Sequence, residues 1–131
     1  MVRLVLRGLV LVWAGFFALL ALRGLIDPSV WTVQFGLAAS PGGDPGAANT
    51  LRADFASFFL VAAGAAAWGV VRPASSRMLM IPAALFGTAL IGRAIGIAAG
   101  DVFSANVRLS MIVEAASVLL MVNAARILSR R

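Results

Sequence analysis

The chain has 131 residues, 62% hydrophobic and only 12% charged, with a mean hydropathy of +1.00 and a formal net charge of +6. A soluble domain of this size needs far more surface charge, and the length allows a single domain. Cys, His, Tyr and Lys are all absent, which excludes disulfides, Cys/His zinc sites, haem ligation by His and Ser–His or Cys–His catalysis. No metal and no cofactor is expected.

Four continuous apolar stretches predict helices over about residues 4–22, 52–71, 78–99 and 106–126. Each approaches the ~20 residues that carry a helix across ~30 Å of hydrocarbon, and none alternates as a barrel strand does. The predicted fold class is therefore all-α, an integral membrane four-helix bundle made by one domain, 1–131. The first stretch is long for a secretory signal, and no small-x-small site precedes Arg23, so it is expected to be retained.

Between the first two spans lies a loop over 27–49. Asp27-Pro28 opens it, and Ser40-Pro41-Gly42-Gly43-Asp44-Pro45-Gly46 closes it, both as turns. Val30, Trp31, Val33, Phe35 and Leu37 make its middle apolar. Trp31 and Phe35 suit the headgroup region, which predicts a loop lying on the membrane surface or, alternatively, folded as a lid over a cavity. Asn49 or Thr50 is the expected N-cap of the second span, and Gly64, Ala65, Ala66, Ala67 and Gly69 give that span a slim face. Arg72-Pro73-Ala74-Ser75-Ser76-Arg77 then predicts a tight hairpin turn. On the third span Gly92, Gly96 and Gly100 recur every fourth residue, the spacing of a helix-packing face within the bundle or between copies. Asp101 or Ser104 is the expected cap of the fourth span.

The charge pattern predicts an orientation. With four spans, one side collects Arg3, Arg7, Arg72, Arg77, Arg126, Arg130 and Arg131 and no acid, whereas the other holds Arg23, Asp27, Asp44, Arg52, Asp54, Asp101 and Arg108. Basic residues mark the cytoplasmic side, so both termini are expected there, with the 27–49 loop outside. Arginines at the ends of apolar runs draw no basic groove, and nucleic acid is not an expected partner. Arg used to the exclusion of Lys, with abundant Ala, Gly and Val, points to a GC-rich bacterial genome and thus to a multi-pass protein of the bacterial cytoplasmic (inner) membrane.

Arg52, Asp54, Arg93 and Glu114 stand in or beside the apolar stretches. Ionic groups at such depth are costly and need a partner, a wet cavity or a function. Arg93 and Glu114 lie roughly 9–10 Å from the outer ends of their spans at ~1.5 Å per residue. Ser110, Glu114 and Ser117 form a stripe at i, i+4 and i+7 that should face the bundle interior. Arg93 is expected to pair with Glu114, leaving Asp54 for Arg52 of a neighbour, Arg108 or a backbone N–H.

Two roles fit these charges: a lock on helix register, or the lining of an outward-facing cavity for a lipid-like or other hydrophobic small molecule. In the second, Asp54 and Glu114 are the acid/base candidates, and Arg52 and Arg93 would steady an anionic or carbonyl group. Phe55, Phe58, Phe59, Met111 and Leu119 would form its apolar walls. Whether a reaction follows binding stays open. In the inner half only Asn123 is polar, on the far side of its helix from Glu114, so a channel or homo-oligomeric transporter is less favoured than an accessory subunit of a larger membrane complex.

Asn49-Thr50-Leu51-Arg52-Ala53-Asp54-Phe55 resembles the N-x-L-R-A-D-F signature of a bacterial family of small four-span membrane proteins catalogued as a domain of unknown function. Gly92-Arg93, Asp101 and Glu114 are similar to later features of that family. The chain departs from the pattern at Ala56-Ser57, where the family often has glycines, and at Val102, where it often has Gly after the Asp. The resemblance implies a four-helix membrane bundle in which Arg52, Asp54, Arg93, Asp101 and Glu114 form the signature set; it implies no reaction.

Overall fold

A computed structural model describes residues 1–35 and 46–129, whose regular structure is all helical. In chain order the elements are α1 (Val2–Ile26), α2 (Ser29–Phe35), α3 (Ala47–Val71), a 3-10 segment (Pro73–Leu79), α4 (Met80–Ala98) and α5 (Ala105–Ser129). The helices α1, α3 and α5 have 25 residues each, about 37 Å at ~1.5 Å per residue. Together with the unit that runs from the 3-10 segment through α4, they are long and apolar enough to cross a membrane. Turn residues 40–45, Leu37, the Phe35 side chain, Arg130 and Arg131 lie outside the described residues.

Helix α1 lies mainly on α3, and α4 on α5; α3–α4 and α1–α5 contacts close the bundle. The 3-10 segment is wedged against α3 and α5 at the end that holds both termini. Helical geometry lapses there at Ser75 (φ −105°, ψ 17°), so the predicted hairpin turn is a compact corner that buries Ser76. The late part of α1, the early part of α3, the late part of α4 and the early part of α5 share the opposite end, beside α2.

In the terminal half, α3 presents small side chains. Ala62, Ala63, Ala65, Ala66 and Gly69 are buried on α3, and this slim face lets neighbouring backbones come close. A Cβ at Gly69 would press on the Leu79 side chain at 2.9 Å. The α2 half is built from rings instead. Phe17 stacks on Phe59 with centroids 5.2 Å apart and meets Phe86 edge-on at 5.0 Å.

Trp31, expected on a surface loop or in a lid, is drawn into the bundle. It is fully buried and stacks on Phe55 at 5.5 Å and on Phe59 at 5.6 Å. Gly24 makes the space: any Cβ there would run into the indole. Asp27-Pro28 sets the approach. The Asp27 carboxylate accepts the Ser29 N–H at 2.9 Å, and its carbonyl accepts the Val30 N–H at 3.2 Å, so Asp27 caps α2 with Pro28 in the first turn.

Helix α3 begins earlier than expected. Its N-cap is Gly46, whose carbonyl accepts the Asn49 and Thr50 N–H groups at 2.9 and 3.1 Å. Asn49 and Thr50 thus sit inside the first turn, because Ala47 and Ala48, good helix formers, carry the cap three residues or more further back. At α5, Ser104 does cap: its hydroxyl accepts the Val107 N–H at 3.3 Å.

Gly92 and Gly96 of α4 and Gly100 just beyond it do not form a helix seam within the chain. Gly92 and Gly100 have open space where a side chain would stand, and a Cβ at Gly96 would meet the Asp101 carboxylate. Gly100, at φ +106°, terminates the helix: the Gly100 N–H donates to the Ile97 carbonyl at 3.1 Å and the Asp101 N–H to the Gly96 carbonyl at 3.0 Å. That is a Schellman turn, whose left-handed residue favours Gly. Gly96 and Gly100 therefore serve separate local needs, and Gly92 shows none within the chain.

Candidate functional site

Glu114 lies nine residues into α5, about 13 Å from its start, and Arg93 five residues before the end of α4, about 8 Å from it. Their helices are neighbours, and the Arg93 Nε donates to Glu114 Oε1 at 2.8 Å. The Glu114 side chain is 7% exposed and that of Arg93 29%. This is the ion pair expected from the depths of the two residues. The geometry is asymmetric, however. Glu114 Oε2 is buried without a hydrogen-bond partner among the described residues. An unpaired buried acceptor is costly, so the site holds an unmet demand for a donor.

One helical turn further, Ser117 is buried and works in both directions. Its hydroxyl donates to the Val113 carbonyl at 2.7 Å and accepts the Trp13 Nε1–H at 2.8 Å. Trp13 in turn packs its ring on Phe17 and Phe86 at 4.5 and 5.2 Å. The Ser110–Glu114–Ser117 stripe therefore faces inward, and its last member ties α5 to α1. The Trp13 bond escaped sequence reasoning, since nothing local links residues 13 and 117.

Two cavities of about 250 Å³ each flank Glu114. The first is walled by Asp54, Phe55, Phe58, Phe59, Phe86, Ala89, Arg93 and Glu114. The second is bounded by Phe16, Phe17, Leu20, Phe59, Phe86, Asn106, Leu109, Ser110, Val113 and Glu114. Phe59, Phe86 and Glu114 belong to both and form the partition between them. A groove of about 410 Å³ on the other side of Arg93 runs past Gly92, Gly96 and Asp101. The two cavities, unlike the groove, are walled in large part by phenylalanines, which tile less closely than alanines.

Of the expected site residues, the structure brings Asp54, Arg93 and Glu114 to one cavity, with Asp101 across the guanidinium in the adjoining groove. Asp54 is exposed on α3 and makes no ion pair among the described residues, so the proposed pairing with Arg108 does not form. Arg52 is half-buried and lines neither cavity. Its charge acts on Asp27 instead. There the Ser29 hydroxyl and N–H donate to the carboxylate and the Arg52 guanidinium adds an opposite charge, holding the Asp27 carboxyl below its ordinary range.

The apolar walls differ in part from expectation. Phe55, Phe58 and Phe59 line the first cavity, but Met111 does not, and Leu119 is 64% exposed on the outer face of α5. Phe86 and Ala89 replace them. With Arg93 they recur at i, i+3 and i+7 on α4, a periodicity that carries the signal. Asn123 is exposed and donates to the Leu119 carbonyl of its own helix at 2.7 Å, so it extends no polar path. No group of three or more acidic ligands suited to a metal ion occurs among the described residues.

No family model, no curated protein and no solved structure matches the chain.

Proposed function

We propose that this chain is a multi-pass protein of a bacterial cytoplasmic membrane, with both termini inside, that binds a hydrophobic small molecule or lipid through a polar head seated at Arg93 and Glu114. The observation that carries this is the first cavity: phenylalanine walls, an ion pair at 2.8 Å in its lining, and a buried Glu114 oxygen without a donor. Small-molecule sites have this make-up, mostly apolar with a few convergent polar groups. At about 250 Å³, the space is below the ~300–1,000 Å³ typical of drug-sized ligands. It suits a head and the first part of a tail, the remainder lying between helices or in lipid. The sequence signature Arg52-Ala53-Asp54-Phe55 supports the same end of the bundle, since Asp54 and Phe55 are in the wall.

A structural role as an accessory subunit has support from one observation, the short Arg93–Glu114 contact itself. Native mass spectrometry of the protein extracted with its lipids separates the two. Ligand binding gives a retained small-molecule mass that is lost in Glu114→Gln; a subunit role gives a co-purified polypeptide and no such mass. Exchanging the two charges in Arg93→Glu/Glu114→Arg sharpens the result. A register lock is restored by the exchange, whereas a head-binding site is not.

A further inference from the structure

Resting on the binding reading, we infer that the head this cavity takes is a protonated amine carried on a hydrocarbon body. Charge comes first. Asp54 and Glu114 line the cavity against a single cation, Arg93. That cation is matched by Glu114, to whose Oε1 its Nε donates, so Asp54 is left without a counter-charge in the lining. The wall keeps a negative excess, which an anionic head would meet with repulsion and a cationic head with attraction.

Hydrogen bonding makes the assignment sharper. The unmet atom is an acceptor: Glu114 Oε2, on a residue 5% exposed, has no donor among the described residues. An ammonium brings several N–H donors and satisfies it; a carboxylate or phosphate brings none. The walls are fitting too. Phe55, Phe58, Phe59 and Phe86 share the lining with the two carboxylates, and aromatic rings attract a desolvated cation through their quadrupoles while accommodating its hydrocarbon.

The same ammonium occurs on a free lipophilic amine and on the ethanolamine head of an aminolipid. The test uses purified full-length protein in nonionic detergent, titrated with dodecylamine, dodecyltrimethylammonium, dodecanoate and dodecanol and read by native mass spectrometry. Dodecylamine is expected to bind tightest. Dodecyltrimethylammonium, which has the charge but no N–H, should bind about ten-fold more weakly, as should dodecylamine to Glu114→Gln. Asp54→Asn, which alters an exposed side chain outside the ion pair, should weaken dodecylamine but leave dodecanol unchanged. Release from nanodiscs of mixed phosphatidylethanolamine and phosphatidylglycerol tells the sources apart. Retained phosphatidylethanolamine identifies an aminolipid, and dodecylamine binding without it identifies a free amine; both support the assignment. Equal or tighter binding of dodecanoate or dodecyltrimethylammonium, or selective retention of phosphatidylglycerol, overturns it. If dodecanol binds as well as dodecylamine, the amine assignment fails and the cavity reading stands; if no probe binds, both fail.

Discussion

The two halves of this bundle are packed by different rules. Toward the termini, α3 offers alanines and glycines, and its neighbours settle against them closely enough for Leu79 to lie on Gly69. Toward α2, the same helix offers Phe55, Phe58 and Phe59, and cavities open on both sides of Glu114. Small side chains bring backbones together in an apolar setting; large rings hold them apart and leave room for a guest. One helix thus supplies a rigid clamp at one end and a receptive space at the other.

The comparison can be broken most severely at the ion pair. Arg93→Ala strands a buried carboxylate, and an unfolding titration in mixed micelles should show a loss of about 3–5 kcal/mol. A smaller effect tests the packing contrast directly. Ala66→Leu, in the clamp, should cost about 1–3 kcal/mol through overpacking. Ala89→Leu, in the cavity wall, should leave stability level or raise it by up to about 1 kcal/mol while excluding ligand. Equal losses at the two sites would erase the distinction between the halves.

Below these comes the tie between α1 and α5. Trp13→Phe removes the donor to Ser117 and leaves a ring, so the same titration should fall by about 1–2 kcal/mol. Least of all is the pH effect at Asp27. Its carboxyl is depressed in the fold, so its contribution is present above the ordinary aspartate value and is lost as pH falls through the lower folded one. Thermal midpoints of the wild type should drop slightly more than those of Asp27→Asn on acidification in that range; a parallel decline would deny Asp27 its capping role.

Much of the architecture is legible in the residues, because an apolar run of helical length has few alternatives. Arg93 and Glu114 are legible as a pair for a related reason: charges at similar depth on adjacent spans have few other places to go. Trp31 misleads because interfacial preference is a property of the residue type, whereas its burial depends on the notch at Gly24, seven positions earlier, which only the folded chain brings beneath it. As a seam within the chain, Gly92, Gly96 and Gly100 mislead by their regularity, since a helix face and a helix terminus both favour Gly for reasons that spacing does not distinguish. Phe86 is not legible, because one ring in an apolar helix has no local mark of its neighbours.

The Schellman turn at Gly100 bears on where α4 can end. The carbonyls of Ile95, Gly96 and Ile97 are all capped by N–H groups from Ala99, Gly100 and Asp101. These three carbonyls ask nothing of the solvent, so α4 needs no further turn to satisfy them. The connection to α5 is thereby kept short, and the guanidinium a turn and a half below stays sheltered without a longer helix to bury it.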